Sequence, residues 1–311
     1  MSISQPTSPG LWVSRLRVVL KVVLKHILAP VGFLIARPKG IRVLFYHRVN
    51  THDFKALGMV SREISVPTDT FRQQMAHLSK KGFKTISLEQ CRAMLAGEIP
   101  LQEKSVLLTF DDGYEDNLTD AAPILAEFGF TATVFPVLDK IGSDNSCWPM
   151  SDTGDLGQFM TRPQLQAWLD AGHEIGSHTV THPVLTHLDD ARLHEELRAS
   201  RLGLQKTFGL ECIAVAYPGG DVDARVAEAT RDAGYDLGLT TQSGTNMIGT
   251  DAILLKRTEV SATDTSLIFA LKMRGVFDWL GVRDTVLYRN LMRVLNTAAA
   301  GLTKAPKVRS T

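Results

Sequence analysis

Val106-Leu-Leu-Thr-Phe-Asp-Asp-Gly-Tyr114 runs from an unbroken apolar segment directly into two carboxylates and a glycine. A short apolar run ended by a turn signal reads as a buried strand, here Val106–Phe110. Helical periodicity follows over Asn117–Phe128 and stops at Gly129. The same alternation extends in both directions. Ile41–His47, Phe83–Ile86, Ala132–Phe135, Glu174–Ser177, Cys212–Ala216 and Leu237–Thr240 read as further strands. Thr70–Lys81, Leu88–Leu95, Arg162–Ala171, Asp189–Phe208 and Ala224–Ala233 read as helices, several of them closed by Gly82, Gly172, Gly209 or Gly234. Repeated strand–helix alternation makes the chain α/β, with a parallel sheet covered by helices and either open or closed into a barrel. No internal repeat is evident. The Gly-, Ser- and Asp-rich stretch 139–160 is the main insertion and is expected to border a substrate groove.

Charge divides the chain into three. Its 311 residues carry a formal net charge of +1, with 44% hydrophobic and 22% charged residues. The first 52 residues hold eight Lys/Arg and no acid, and 265–311 hold eight against Asp278 and Asp284. The stretch 53–264 therefore keeps 18 basic and 31 acidic residues, a net of −13. With the strand–helix alternation this divides the chain into a basic N-terminal segment (1–40), an α/β domain (41–264), and a basic C-terminal segment with a tail (265–311). In the first, Arg17, Lys21 and Lys25 share a helical face among valines and leucines, which resembles an interfacial helix on anionic lipid. Packing of both ends on the body is the competing expectation. Within the apolar stretch 11–36 the longest uncharged run, 27–36, is too short to span a bilayer, and no clear export signal is present. A cytoplasmic protein, peripheral at the inner face of the cell membrane, is the resulting expectation. Cys91, Cys147 and Cys212 show no metal-binding spacing and read as buried free thiols. Basic residues on apolar helices with little aromatic interleaving argue against nucleic acid.

In α/β folds functional residues gather where strands end, and four such ends carry unusual residues. Asp111-Asp112 follows the strand quoted above. Adjacent carboxylates in extended backbone point to different sides, so one can ligate a metal while the other acts as a base. Helix N-capping by Asp112 or Asp116 is the simpler alternative. His178-Thr-Val-Thr-His182-Pro183 places two histidines at i, i+4, on one face if the turn is helical. With Asp112 they form one carboxylate and two imidazoles, with Ser177 or Glu174 as candidate supporting groups. Tyr217-Pro-Gly-Gly220 is a turn whose N–H groups can face a developing oxyanion, or an ordinary turn. Phe45-Tyr46-His47 closes the first strand with a histidine.

Taken together, these motifs resemble the NodB-homology polysaccharide deacetylases, carbohydrate esterase family 4. Thr109–Tyr114 is similar to that family's Thr-Phe-Asp-Asp-Gly motif, and His178–Pro183 to its His-Ser/Thr-x-x-His-Pro motif. The resemblance spans roughly residues 42–260. It implies a distorted (β/α) barrel and a metal-dependent hydrolase that removes an N-acetyl group from an amino sugar. It assigns Asp112, His178 and His182 to the metal, Asp111 to the general base, and the Gly219 N–H to the oxyanion. Zinc is the first expectation for the metal, with cobalt, manganese or nickel as alternatives.

Two departures accompany the resemblance. Ala216-Tyr217-Pro218-Gly219 lacks the Arg and the Tyr of the common Arg-x-Pro-Tyr pattern, and Arg257 is the candidate to steady the base in their place. No histidine follows Thr250, so the usual C-terminal acid is missing. The Tyr46-His47 pair is similar to the poly-N-acetylglucosamine deacetylase subset, which makes His47 the candidate acid. The expected partner is an N-acetylated glycan or a lipid-linked sugar, with membrane-surface contact through the basic ends. Deformylation of a polyprenyl-linked sugar and a catalytically dead binding protein are the alternatives. Asp111-Asp112 lacks the Asp-x-Asp spacing of aspartate-nucleophile phosphatases.

Overall fold

The computed structural model describes residues 39–52, 64–147 and 157–279. Its centre is β5 (Ser105–Asp112), the quoted strand, buried along its whole length. It pairs in parallel with β1 (Arg42–Tyr46) on one side, and on the other with β4 (Lys84–Thr85) at its start and β6 (Thr133–Pro136) at its end. β6 continues to β7 (Glu174–Ile175), and β1 to β10 (Thr258–Glu259). β8 (Ala214–Ala216) and β9 (Leu237–Leu239) form a separate parallel pair. Single-residue parallel bridges join this pair to both edges, Ser177 to Val215 and Leu239 to Leu255. The ring of parallel strands thereby closes, and the expected distorted (β/α) barrel is the observed fold. β2 (Arg48–Asn50) and β3 (Ser65–Pro67) pair outside it.

Strand alternation separates two cores. Ile41, Val43, Leu107, Phe135, Ala214, Ala216, Leu237 and Leu239 fill the barrel, as the inward positions of period-two strands must. Helix α2 (Leu88–Leu95), opened by a Ser87–Gln90 capping box, adds Leu88, Cys91 and Met94 to this inner core. The alternate residues Leu44, Tyr46, Leu108 and Phe110 face the outer helices. Tyr46, Phe71 of α1 (Thr68–Lys80), Phe110 and Trp168 form one aromatic cluster there, with ring centroids 5.2–6.0 Å apart. Helices α4 (Arg162–Asp170), α5 (Asp190–Phe208) and α6 (Ala224–Asp232) begin at side-chain caps from Thr161, Asp189 and Asp223.

The helix expected over 117–128 differs in form. Residues Asn117–Ala121 are π-helical and only α3 (Ala122–Glu127) is α-helical. Pro123, at the start of α3, has no N–H to donate to the preceding turn. Asp116 does not cap this helix with its side chain; it pairs with Arg48 at 2.7 Å.

Part of the C-terminal segment packs on the body. In α7 (Ser266–Met273), Ile268, Phe269 and Met273 are buried, and Phe269 meets His77 of α1 with centroids 5.8 Å apart. Lys272 turns inward to the Glu259 carbonyl (2.5 Å) and to Asp264, so this cation does not serve a basic surface. Arg42 donates to both carboxylate oxygens of Asp278 at 2.8 and 2.9 Å. The remaining parts of the predicted basic segments, 1–38 and 280–311, lie outside the described residues, as does 148–156 of the insertion. Among the described residues no helix is long and apolar enough to cross a membrane. Cys91 and Cys212 are buried free thiols, and burial pushes both up to about 12.

Candidate metal centre at the carboxyl ends of the strands

All the motif residues meet at the end of the barrel where its strands finish. Leu107, Thr109 and Asp111 follow one another on the inward side of β5, and Asp111 is 3% exposed. Alternation would point Asp112 away from the barrel interior. Its φ of 72° breaks the extended backbone at this position and turns the carboxylate toward the two histidines. Gly113 is required next, because a Cβ there would stand 2.9 Å from Pro136 Cα.

The two histidines do not arrive on a helical turn. Residues 178–182 form a non-helical loop, in which Thr179 and His182 take φ values of 68° and 63°. For a β-branched threonine this is a strained backbone. Three of the four non-glycine residues with positive φ among the described residues therefore lie in this site, where surrounding contacts must hold them. Those contacts are visible. Thr179 N–H donates to Ser177 Oγ at 3.2 Å, and His182 N–H to Thr179 Oγ1 at 3.1 Å. Glu196, from α5, accepts from the Val180 and Thr181 N–H groups at 2.8 and 3.0 Å and from the Thr181 hydroxyl at 2.6 Å.

Glu196 has no motif of its own and sits mid-helix, so sequence reasoning missed it. A carboxylate among the residues that α5 buries was the one available signal. Ser177 does support the loop. Glu174 does not, because its carboxylate accepts from Leu88 N–H and Thr133 at the opposite end of β7.

Asp112 Oδ1 stands 3.5 Å from His178 Nε2 and 3.7 Å from His182 Nε2. The donor atoms of the three residues all lie within 4.8 Å of one another. His178 Nδ1 lies 2.7 Å from the Ala216 carbonyl; that oxygen only accepts, so Nδ1 carries the proton and Nε2 presents a lone pair. Burial, with His182 and Arg257, pushes the His178 ring down to about 3, which keeps it neutral. Burial also lowers His182, and burial beside Asp111 raises Asp112 well above its usual value. The raised Asp112 pKa and the lowered histidine pKa values have one cause: burial disfavours a bare charge on any of the three groups. A cation held between them would offset that cost and favour the ionised Asp112 beside two neutral imidazoles. Neighbouring ligands of a tetrahedral zinc are about 3.4 Å apart, so the residues fit a divalent ion held by one oxygen and two nitrogens.

Beside this cluster, Arg257 grips Asp111 through two parallel hydrogen bonds, Nη1 to Oδ1 at 2.7 Å and Nη2 to Oδ2 at 2.8 Å. The guanidinium is fully buried. It also donates to the Thr240 carbonyl at 2.8 Å and lies 4.4 Å over the Phe45 ring. Burial works against the Asp111 charge, but Arg257, with His178 and His47, overcomes it and holds the carboxyl at about 2. His47 lies between β1 and β2, half-buried, with its ring edge-on to Phe45. Burial lowers its pKa, with Asp111 and Glu259 opposing. Gly219 (φ 63°) lies in the turn after β8. The turn's own bonds run from Gly220 to Tyr217 and from Asp221 to Pro218, leaving the Gly219 N–H out of them. A Cβ on Gly219 would meet nothing, whereas one on Gly220 would strike Thr241 at 2.1 Å. A second network missed from sequence braces the loop after Asp112: Arg48 bonds Asp116 and lies 4.9 Å over the Tyr114 ring.

Fold and site together define a parallel (β/α) barrel with a candidate metal centre of one carboxylate and two imidazoles. The model of the polysaccharide deacetylase family matches residues 98–238. That span contains Asp111, Asp112, His178, His182 and Gly219, while His47 and Arg257 come from outside it. YxkH of Bacillus subtilis (strain 168), named for polysaccharide deacetylation, is 28% identical over 72% of this chain and 73% of its own length. The poly-β-1,6-N-acetyl-D-glucosamine N-deacetylase of Escherichia coli (strain K12) is 38% identical over 29% of this chain, a match covering 13% of that protein. Among solved structures, the Streptococcus pyogenes deacetylase PplD in complex with acetate shares the fold. Its TM-score is 0.65 at 24% identity, over 76% of this chain and 99% of that one.

Proposed function

We propose that this protein is a divalent-metal-dependent carbohydrate N-deacetylase that hydrolyses the acetamido group of an N-acetylglucosamine-containing glycan. The observation that carries this reading is the buried, Arg-clamped Asp111 next to the Asp112–His178–His182 cluster. Asp112, His178 and His182 would hold the ion. A bound ion of this kind polarises the acyl oxygen and lowers the pKa of water.

The chain's own residues supply the rest. Asp111 takes the proton of the attacking water, and Arg257 keeps the carboxylate oriented and ionised. The Gly219 N–H faces the oxygen on which charge develops. His47 delivers a proton to the departing nitrogen, so an amine and acetate leave. Burial works against the protonated ring, and the nearby Asp111 and Glu259 charges favour the proton that a donor needs. The names of two relatives, the Escherichia coli enzyme and the peptidoglycan-N-acetylglucosamine deacetylase of Bacillus cereus, favour N-acetylglucosamine as the sugar.

The test is acetate release from N-acetylated glucosamine polymers by the purified protein with and without added Zn²⁺, Co²⁺ or Mn²⁺. Release that requires metal is the expected result, and zinc binding without release from any such polymer would reject it. His47→Ala is expected to lower kcat about 10²–10⁴-fold with zinc affinity unchanged. A turnover within a few fold of wild type would remove His47 from the mechanism.

Glu196→Ala is expected to weaken zinc binding about 10–100-fold, the usual effect of losing a group that orients metal ligands, with Glu196→Gln partly restoring it. A lower thermal midpoint with unchanged zinc affinity would make Glu196 a purely structural contact.

A further inference from the structure

The end of the barrel opposite the candidate site carries a cavity of about 1060 Å³. It opens where β1 and β5 begin, between Arg42 and Ser105. Three exposed lysines, Lys39, Lys81 and Lys104, line it together with apolar side chains, among them the half-buried Phe83 and the buried Met273. Glu103 is the one carboxylate among its lining residues.

Two details bring the Lys104 and Lys81 charges to the same part of the cavity. Lys104 adopts φ 60°, the remaining non-glycine positive φ among the described residues. Its ammonium lies over Gly82, where a Cβ would stand 3.7 Å from Nζ, directly beside Lys81 in the chain. His77, at the same cavity, has its pKa lowered by burial and then by Lys81 and Lys80, which reports the positive field.

The charge of the flanking chain has the same sign. The 38 residues before Lys39 carry five Lys/Arg and no acid, and the 32 after Trp279 carry six against Asp284. Both stretches join the body here, since Arg42 of the cavity is bonded to Asp278. The stretch 53–264, by contrast, has a net charge of −13. An anionic surface is therefore attracted at this end of the molecule and repelled elsewhere. Lysines beside apolar side chains match an amphiphile, with a phosphate for the cations and an acyl chain for the apolar surface.

We propose that this cavity seats the phosphate headgroup of an anionic lipid and docks the barrel's N-terminal end on a membrane. The strands then point away from the bilayer. At about 3.3 Å per residue, the eight residues of β5 hold the Asp111–Asp112 site roughly 25 Å from that end. On the deacetylase reading above, this orientation selects a glycan standing clear of the membrane over a sugar linked to lipid at its surface.

The experiment is co-sedimentation of the full chain with phosphatidylcholine vesicles, with and without phosphatidylglycerol, for wild type and the Lys81→Gln/Lys104→Gln variant. Binding that requires phosphatidylglycerol and falls about 30-fold in the variant, near five-fold per lysine, is expected. An unchanged thermal midpoint and unchanged acetate release from soluble glycan would show that the variant is folded. Equal binding of the two proteins would assign membrane contact to the flanking segments and overturn the cavity site. Inorganic phosphate binding without vesicle binding would also overturn it, by making the cavity a site for a free anion. Lys39→Gln, at a third lysine lining the cavity, provides an independent variant with the same expected direction.

Discussion

Asp111→Asn is expected to lower kcat for N-deacetylation by about 10²–10⁴-fold, the range that a positioned general base supplies. Asparagine keeps the shape of the side chain and an oxygen for Arg257, but its amide cannot take a proton from water. The difficulty lies in the partner. Arg257 is fully buried, and removing the carboxylate leaves its charge with the Thr240 carbonyl and the Phe45 ring. Lost stability could then imitate lost chemistry. The Asp111→Asn/Arg257→Met double variant separates them, since it contains neither buried charge. Activity that stays abolished in a double variant of restored stability identifies Asp111 as the base. Activity that returns with stability would show that Asp111 matters for the fold alone.

Arg257→Met is expected to destabilise the protein by about 3–5 kcal/mol, the cost of stranding one member of a buried ion pair. Asp111 is 3% exposed, and its low pKa depends first on Arg257 among the groups that oppose burial. Methionine fills much of the volume but donates nothing. Urea unfolding of wild type, the two single variants and the double variant gives the coupling energy directly. The double variant is expected to be more stable than either single one, because two apolar or neutral groups tolerate burial better than one unpaired charge. Four stabilities that simply add would mean that the pair is not coupled. A turnover in Arg257→Met equal to wild type would separate this residue from the chemistry even where it supports the fold.

The clamp also accounts for a departure visible in the motif after β8. Ala216 occupies the place where the related motif has arginine, and its carbonyl instead fixes the His178 ring at 2.7 Å. The arginine on Asp111 arrives from the segment before β10, 146 residues away in sequence. The candidate site is therefore complete in charge without the motif's own arginine.

Much of this was legible in the chain itself. The short apolar runs Ile41–His47 and Val106–Phe110, in a chain where such runs alternate with helical stretches, determine a parallel α/β architecture because side chains must be buried on both faces of the sheet. Asp111, Asp112, His178 and His182 stand at strand ends, and parallel strands deliver all such ends to one side of the sheet. Closure of the ring was left open by pattern alone, because it rests on single-residue bridges at Ser177 and Leu239 that have no periodicity. The positive φ at Asp112, Thr179 and His182 was equally hidden, since Asp and His adopt it only in a minority of places and a β-branched Thr rarely does. Their conformations are held by distant partners such as Glu196. The Asp111–Arg257 bond and the cationic cavity at Lys39, Lys81 and Lys104 join residues far apart in sequence. The order of residues determined which groups the protein has and which way its strands run, and only tertiary packing decided which charges lie close enough to act on one another, because Coulomb and hydrogen-bond energies depend on separation in space.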